Sequence, residues 1–240
     1  MALPMNQTPT YTLTIPSTGK DAKFKPFVVK QEKALLLAMQ SESEMVMLDT
    51  LKGVIQDCFV DKIDVERLAT FDVEYIFAQL RARSVGEIIE IILKCDECED
   101  DKAKVKINLN VDHIKVQKPE THSTKIHLFD DVGVVMKYPS FSIVEKLQGK
   151  NQKNVTPDDM FDIIVECMDM IFDTSQTYPI NEQPREEVMT FLDNLTNEQF
   201  EKIQQFFETM PKMTHDVEFD CPVCNKHHQK KMEGLQSFFS

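Results

Sequence analysis

An α+β fold is what this chain predicts: an N-terminal hairpin and helices, then a split β element interrupted by a largely helical insertion. Three observations lead there. Segments of two-residue alternation stand at the start, the centre and the end of the sequence. Between them run stretches whose apolar residues recur at three and four. Finally, Cys95/Cys98 and Cys221/Cys224 each lie between strand-like segments.

The elements follow in order. In the segment 1–30, Tyr11-Thr-Leu-Thr-Ile15 alternates, Pro16-Ser-Thr-Gly19 is a turn signal, and Lys23 to Val29 alternates again around Pro26, which predicts a β-hairpin. The segment 31–86 reads as helical. Met47, Leu51, Val54 and Cys58 share one face, so Cys58 is a core residue, and Asp64 to Arg83 continues the pattern until Gly86 offers a C-terminal cap. The period then changes. The β-branched run Ile88 to Leu93 and the alternating Val105 to Val111 place Cys95-Asp-Glu-Cys98 at a hairpin tip.

The segment 119–211 reads as an inserted β-hairpin and helical subdomain. Lys125 to Phe129 and Val134 to Tyr138 are its strands, joined through Asp130 to Gly133. Thr156-Pro157-Asp158-Asp159 is a helix start, and Met160, Ile164, Cys167 and Ile171 form the predicted core stripe of the helix that follows. Thr196-Asn-Glu-Gln199 is a capping box that opens an amphipathic helix through Phe200, Ile203, Phe207 and Met210. The strand pattern returns after Pro211 and brackets Cys221-Pro-Val-Cys224, so 87–118 and 212–240 together make the split β element.

Composition narrows the function classes. The 27 Lys and Arg stand against 40 Asp and Glu, and the net charge of -13 opposes a broad grip on a phosphate backbone. No stretch is long and apolar enough to span a bilayer, and Met1 to Gly19 lacks the basic start and apolar run of a signal peptide, so the cytoplasm is the expected location. Cysteines in that reducing compartment read as metal ligands before disulfides.

Two Cys-x-x-Cys turns can occupy the four corners of one tetrahedron with Zn–S bonds of about 2.3 Å. Cys95, Cys98, Cys221 and Cys224 are therefore the expected ligands of one structural Zn²⁺, and the β element reads as zinc-ribbon-like. The 122 residues between Cys98 and Cys221 would have to be an independently packed insertion. A redox role for one pair is the competing reading, but neither pair leads into a helix, and acidic residues around Cys95 oppose a thiolate. His227 and His228 read as surface residues once four cysteines are available. Phosphate-binding glycine loops, nucleophile elbows and paired metalloprotease histidines are absent, so no catalytic residue is expected and the protein is not read as an enzyme. Met39, Met45 and Met47 lie close together, where thioethers suit partner binding, although ordinary core filling is the first expectation for each.

Several phrases carry a family resemblance. Phe24-Lys-Pro-Phe27-Val-Val-Lys30, Phe71-Asp72-Val-Glu74-Tyr75 through Arg81-Ala-Arg83-Ser84-Val85-Gly86-Glu87, and Cys221-Pro-Val-Cys224 with Gly234-Leu-Gln-Ser-Phe238-Phe239 resemble the T4-type phage baseplate protein family. The resemblance runs from about Phe24 to Phe239 and is general in character between 120 and 210. Phe71, Asp72, Glu74, Tyr75, Arg81, Arg83, Ser84 and Gly86 form its most specific part. It implies a baseplate hub subunit or hub-assembly protein of contractile-tailed phages, acting as chaperone or minor hub component, with hub or spike proteins as partners. It implies no enzymatic activity. The host cytoplasm and the virion tail baseplate would be its locations. Outside the resemblance, a zinc-ribbon adaptor for nucleic acid or a polymerase is the alternative, with Lys102, Lys104, Lys106, Lys226, Lys230 and Lys231 as its footprint; a thiol oxidoreductase is a third.

Overall fold

In the computed structural model, residues 8–41, 43–98, 101–149, 156–234 and 237 are described. Glu99, Asp100, Leu235, Gln236, Phe238 and Phe239 lie outside them. The chain divides into two compact units, Met1–Gln117 with Lys212–Ser240 and Lys118–Pro211.

The first unit begins with the hairpin of β1 (Tyr11–Thr14) and β2 (Asp21–Phe24), in register Tyr11 to Phe24. Strand β2 ends earlier than its alternation suggests, because Pro26 has no N–H for a ladder and Val29 already opens α1 (Val29–Gln40). Helix α2 (Glu44–Cys58) follows, with Ser43 as its N-cap. Its core stripe is the expected one: Leu51, Val54 and Cys58 are buried and Met47 is half-buried. Burial pushes the Cys58 thiol up to about 11, an inert position. Beyond α2, Val60 N–H donates to Lys23 O and Lys25 N–H donates to Cys58 O, tying the hairpin to the helix end.

Helix α3 (Thr70–Ser84) is the organiser of this unit. Phe71 is buried and Tyr75 half-buried, and Gly86 follows the helix at φ +144°, a backbone region that glycine alone occupies without strain. Its family-like side chains have structural partners. Ser17 N–H in the hairpin turn donates to Asp72 at 2.9 Å, and Phe27 N–H donates to Ser84 Oγ at 2.9 Å. Arg81 donates to the Gly86 carbonyl oxygen, while Arg83 pairs with Glu87 and Asp112. The two arginines of the last turn thus cap and brace the helix end.

Strands β3 (Ile88–Lys94) and β4 (Lys104–Asn110) form a two-stranded sheet, in register Ile88 to Asn110. A second sheet has the order β11-β10-β5, with β5 at Lys115–Gln117, β10 at Lys212–Asp220 and β11 at His227–Glu233. Ile89, Ile91 and Leu109 from the first sheet, Met213, Val217 and Met232 from the second, and Ala78 and Ala82 from α3 share one core. Gln117 and Lys212 are paired residues of antiparallel strands, so the two ends of the inserted unit are held side by side by a backbone ladder.

The inserted unit differs from its predicted form. The predicted hairpin is there as β6 (Lys125–Phe129) and β7 (Val132–Met136), but β8 (Met168–Phe172) and β9 (Thr177–Pro179) extend it to a four-stranded sheet in meander order. Among the described residues four α-helices accompany it: α4 (Phe141–Gly149), α5 (Pro157–Cys167), α6 (Arg185–Asp193) and α7 (Asn197–Thr209). The predicted stripe of α5 is half right. Ile164 and Cys167 are buried, whereas Met160 is 53% exposed and Ile171 belongs to β8, because the chain turns extended at Met168. Both capping boxes, Thr156 with Asp159 and Thr196 with Gln199, are formed. Leu128, Val134, Met168, Val188, Leu192, Ile203 and Phe206 lie in the unit's own core.

Candidate metal centre

Two hairpin tips build the site. The β3–β4 tip presents Cys95 and Cys98, and the β10–β11 tip presents Cys221 and Cys224. At the second tip, Asn225 N–H donates to Cys221 O and Cys221 N–H to Lys226 O, while Asn225 takes φ +58°, a left-handed position that asparagine tolerates. This tight turn lets Val223 N–H point at Cys221 Sγ, 3.4 Å away. At the first tip, Cys95 N–H donates to Ala103 O, and Ala103 is fully buried beside Cys95 and Cys221.

The four sulfurs lie within 4.8 Å of one another. The short approaches run across the tips: Cys95 to Cys224 and Cys98 to Cys221, each 3.9 Å. A tetrahedron with bonds of about 2.3 Å has edges of about 3.8 Å, so the spacing fits one thiophilic ion. It does not fit disulfides, which need about 2.05 Å, and all six cysteines are free. Crowding has an electrostatic consequence. Hydrogen bonding with Cys224 pushes Cys98 up to about 12, while the Cys224 backbone N–H draws Cys221 down to about 7. Four adjacent thiols resist full ionisation together, and a cation at their centre is what would make four thiolates compatible.

The surroundings hold what the cysteine spacing did not reveal. His228 is not a plain surface residue: its Nε2 lies 3.2 Å from Cys95 Sγ, and its ring stacks on Phe219 at 5.0 Å. His227 is exposed and bonded to Asp220. Strand alternation carried the missed signal, since His228, Lys230 and Met232 share one face of β11 at a period of two. Lys230 donates to Asp96 at 2.7 Å and to the Lys94 carbonyl oxygen at 2.8 Å, and Lys226 pairs with Glu97, so cations of one tip clasp carboxylates of the other. Lys106 pairs with Glu90. Lys106, Lys226 and Lys230, three of the lysines expected as a phosphate footprint, are therefore engaged with acidic neighbours.

The sequence pattern of the family described as T4 bacteriophage base plate protein matches residues 8–240, nearly the whole chain. The chain belongs to that family. No curated protein and no solved structure matches it. A base plate protein belongs to the phage tail, and membership covers both units, including the inserted one whose sequence resembled the family only in general character. Among the described residues no helix is long and apolar enough to cross a membrane. Both tips of the cysteine cluster lie within the matched span and within the first unit, so the cluster is a feature of the base plate protein's own scaffold.

Proposed function

We propose that this base plate protein promotes assembly of the baseplate hub in the host cytoplasm, as a chaperone or minor hub component that binds hub or spike proteins. The observation that carries the reading is the family match across residues 8–240. A second supports it. Val28 at the N-cap of α1, Val29, Leu36, Leu37 and Met39 on α1 and Met45 at the start of α2 are all exposed, with Val29 at 77%, a density of apolar surface that suits partner contact. The expectation that these methionines fill the core therefore fails for Met39 and Met45, and the partner-binding reading gains. The function requires no chemical turnover. Cys95, Cys98, Cys221 and Cys224 would hold one Zn²⁺ as a closed four-thiolate site, which leaves no position for water and serves the fold.

Co-expression with each hub and spike protein of the same phage tests the assembly role. A soluble complex with one of them is expected; its absence with all, together with normal hubs in a phage deleted for the gene, overturns the reading. Metal analysis of protein made without added zinc should give about one equivalent per chain, and a metal-free chain of undiminished thermal stability overturns the zinc assignment.

A further inference from the structure

The inserted unit carries a cavity of about 320 Å³, near the lower end of ligand pockets. Phe129, Val132, Ile171, Val188 and Phe191 form its apolar walls, drawn from β6, β7, β8 and α6. Phe129 remains 38% exposed, so the pocket has an apolar lip that the unit itself leaves uncovered. Phe172 also lines it and already takes a cation: Lys125 Nζ lies 4.6 Å from its ring centre.

Charge selects the occupant. Asp173 and Glu187 are the charged residues among the pocket's lining, and both are acidic. Asp173 is fixed by its neighbours, accepting Ser175 N–H, Gln176 N–H and the Tyr178 hydroxyl, contacts that hold its carboxyl below the usual range and keep it charged. Glu187 is solvent-exposed. The field of the whole unit has the same sign. Lys118–Pro211 contains 17 Asp and Glu against 8 Lys and Arg, so it holds -9 of the chain's net -13. An acidic peptide or a phosphate would be repelled, and a neutral apolar ligand would leave the carboxylates without a role.

We propose that this pocket docks a basic segment of a protein partner: an aromatic or long aliphatic side chain enters the cavity while a neighbouring Lys or Arg pairs with Glu187 and Asp173. This names a site and a partner chemistry for the protein-binding function, and it rests on that reading. Its energetic centre is the apolar anchor, with the ion pairs setting orientation and encounter rate.

A bead-displayed random peptide library, selected on the full chain, tests the site. Enriched peptides should carry Phe, Leu or Met beside Lys or Arg. Their affinity, read by fluorescence anisotropy, should fall about tenfold or more in Phe129→Ser and in Glu187→Lys, as for a central contact. It should also weaken as salt rises, and Glu201→Lys on α7, outside the pocket, should leave it unchanged. Circular dichroism and thermal midpoints confirm that each variant is folded, and exposed Glu187 keeps the test open if Phe129→Ser is not. Peptides without basic bias, binding untouched by either pocket variant, or equal loss in Glu201→Lys overturns the proposal. Peptide binding at the pocket without any hub complex would sink the hub reading alone; a hub complex indifferent to Glu187→Lys and Phe129→Ser would sink the pocket alone.

Discussion

A Cβ at Gly133 would lie 2.3 Å from the Ile126 carbonyl oxygen and 2.3 Å from Cζ of Phe172, its partner across the β7–β8 ladder. The glycine is there for space, because the Phe172 ring lies over the β7 backbone. Gly133→Ala must displace both a hydrogen-bonded strand and a buried ring, and overpacking of this kind costs about 1–3 kcal/mol. A denaturant midpoint lowered accordingly is expected, with part of the loss recovered in Gly133→Ala/Phe172→Leu. His122 is held by polar contacts on both ring nitrogens. It is buried, with Nδ1 3.0 Å from Thr209 Oγ1 and Nε2 3.2 Å from the Tyr138 hydroxyl, its ring stacked on Tyr138 and tilted against Phe206. Thr209 donates its own proton to Gln205 O, so Nδ1–H donates to Thr209 and Nε2 accepts from Tyr138. Burial first, and Lys118 second, hold its pKa below the ordinary histidine value. A depressed pKa means the folded state favours the neutral ring, so the stabilisation is present above the unfolded pKa of about 6.5 and is lost as pH falls through the folded value. Urea midpoints at neutral and mildly acidic pH should show wild type losing more stability on acidification than His122→Phe.

At the scale of elements, α3 joins parts that no shared strand joins. Ser84 accepts the Phe27 N–H at 2.9 Å and donates to Leu80 O, so one hydroxyl at the end of the helix fixes the chain between β2 and α1. Ser84→Ala leaves the Phe27 N–H without that acceptor, a loss of about 1–3 kcal/mol for a buried donor. Faster hydrogen exchange at the Phe27 amide, with a lower thermal midpoint restored by Ser84→Thr, is the expected result. Helix starts were legible in the sequence because Thr156 and Thr196 carry their own caps, and the cysteine hairpins were legible because paired thiols between alternating segments have few other uses. Strands β8 and β9 were not. Met168 to Phe172 continues the helical spacing of Ile164 and Cys167, and period alone cannot separate a short apolar strand from one more helical turn. Alternation puts His228 on the inner face of β11, but its stacking on Phe219 is created by cross-strand register, which the sequence does not display until β10 and β11 are aligned.

Across the whole molecule, the cysteine cluster and the β5–β10 ladder perform two separate tasks. The ladder between Lys115–Gln117 and Lys212–Thr214 already brings together the ends of the inserted unit. What the four cysteines connect is the β3–β4 sheet and the β11-β10-β5 sheet, which are separate sheets sharing a core on α3. Binding one ion there links their far tips, where Cys224 is exposed and apolar packing is thin. Metal removal should therefore act on one unit. Treating the protein with a strong chelator, or making Cys221→Ser, is expected to lower the unfolding midpoint of the unit containing the tips, because metal binding to the folded site alone is folding free energy. The inserted unit Lys118–Pro211 has its own core around Val134, Met168 and Ile203 and should keep its transition. Amide exchange followed by NMR reads both at once: protection lost at Cys95, Cys221 and Val223 with protection retained through β7 and β8 is the expected pattern. Simultaneous loss in both units would show that the ion supports the insertion as well, and unchanged exchange at the tips would show that the thiols hold their geometry without it.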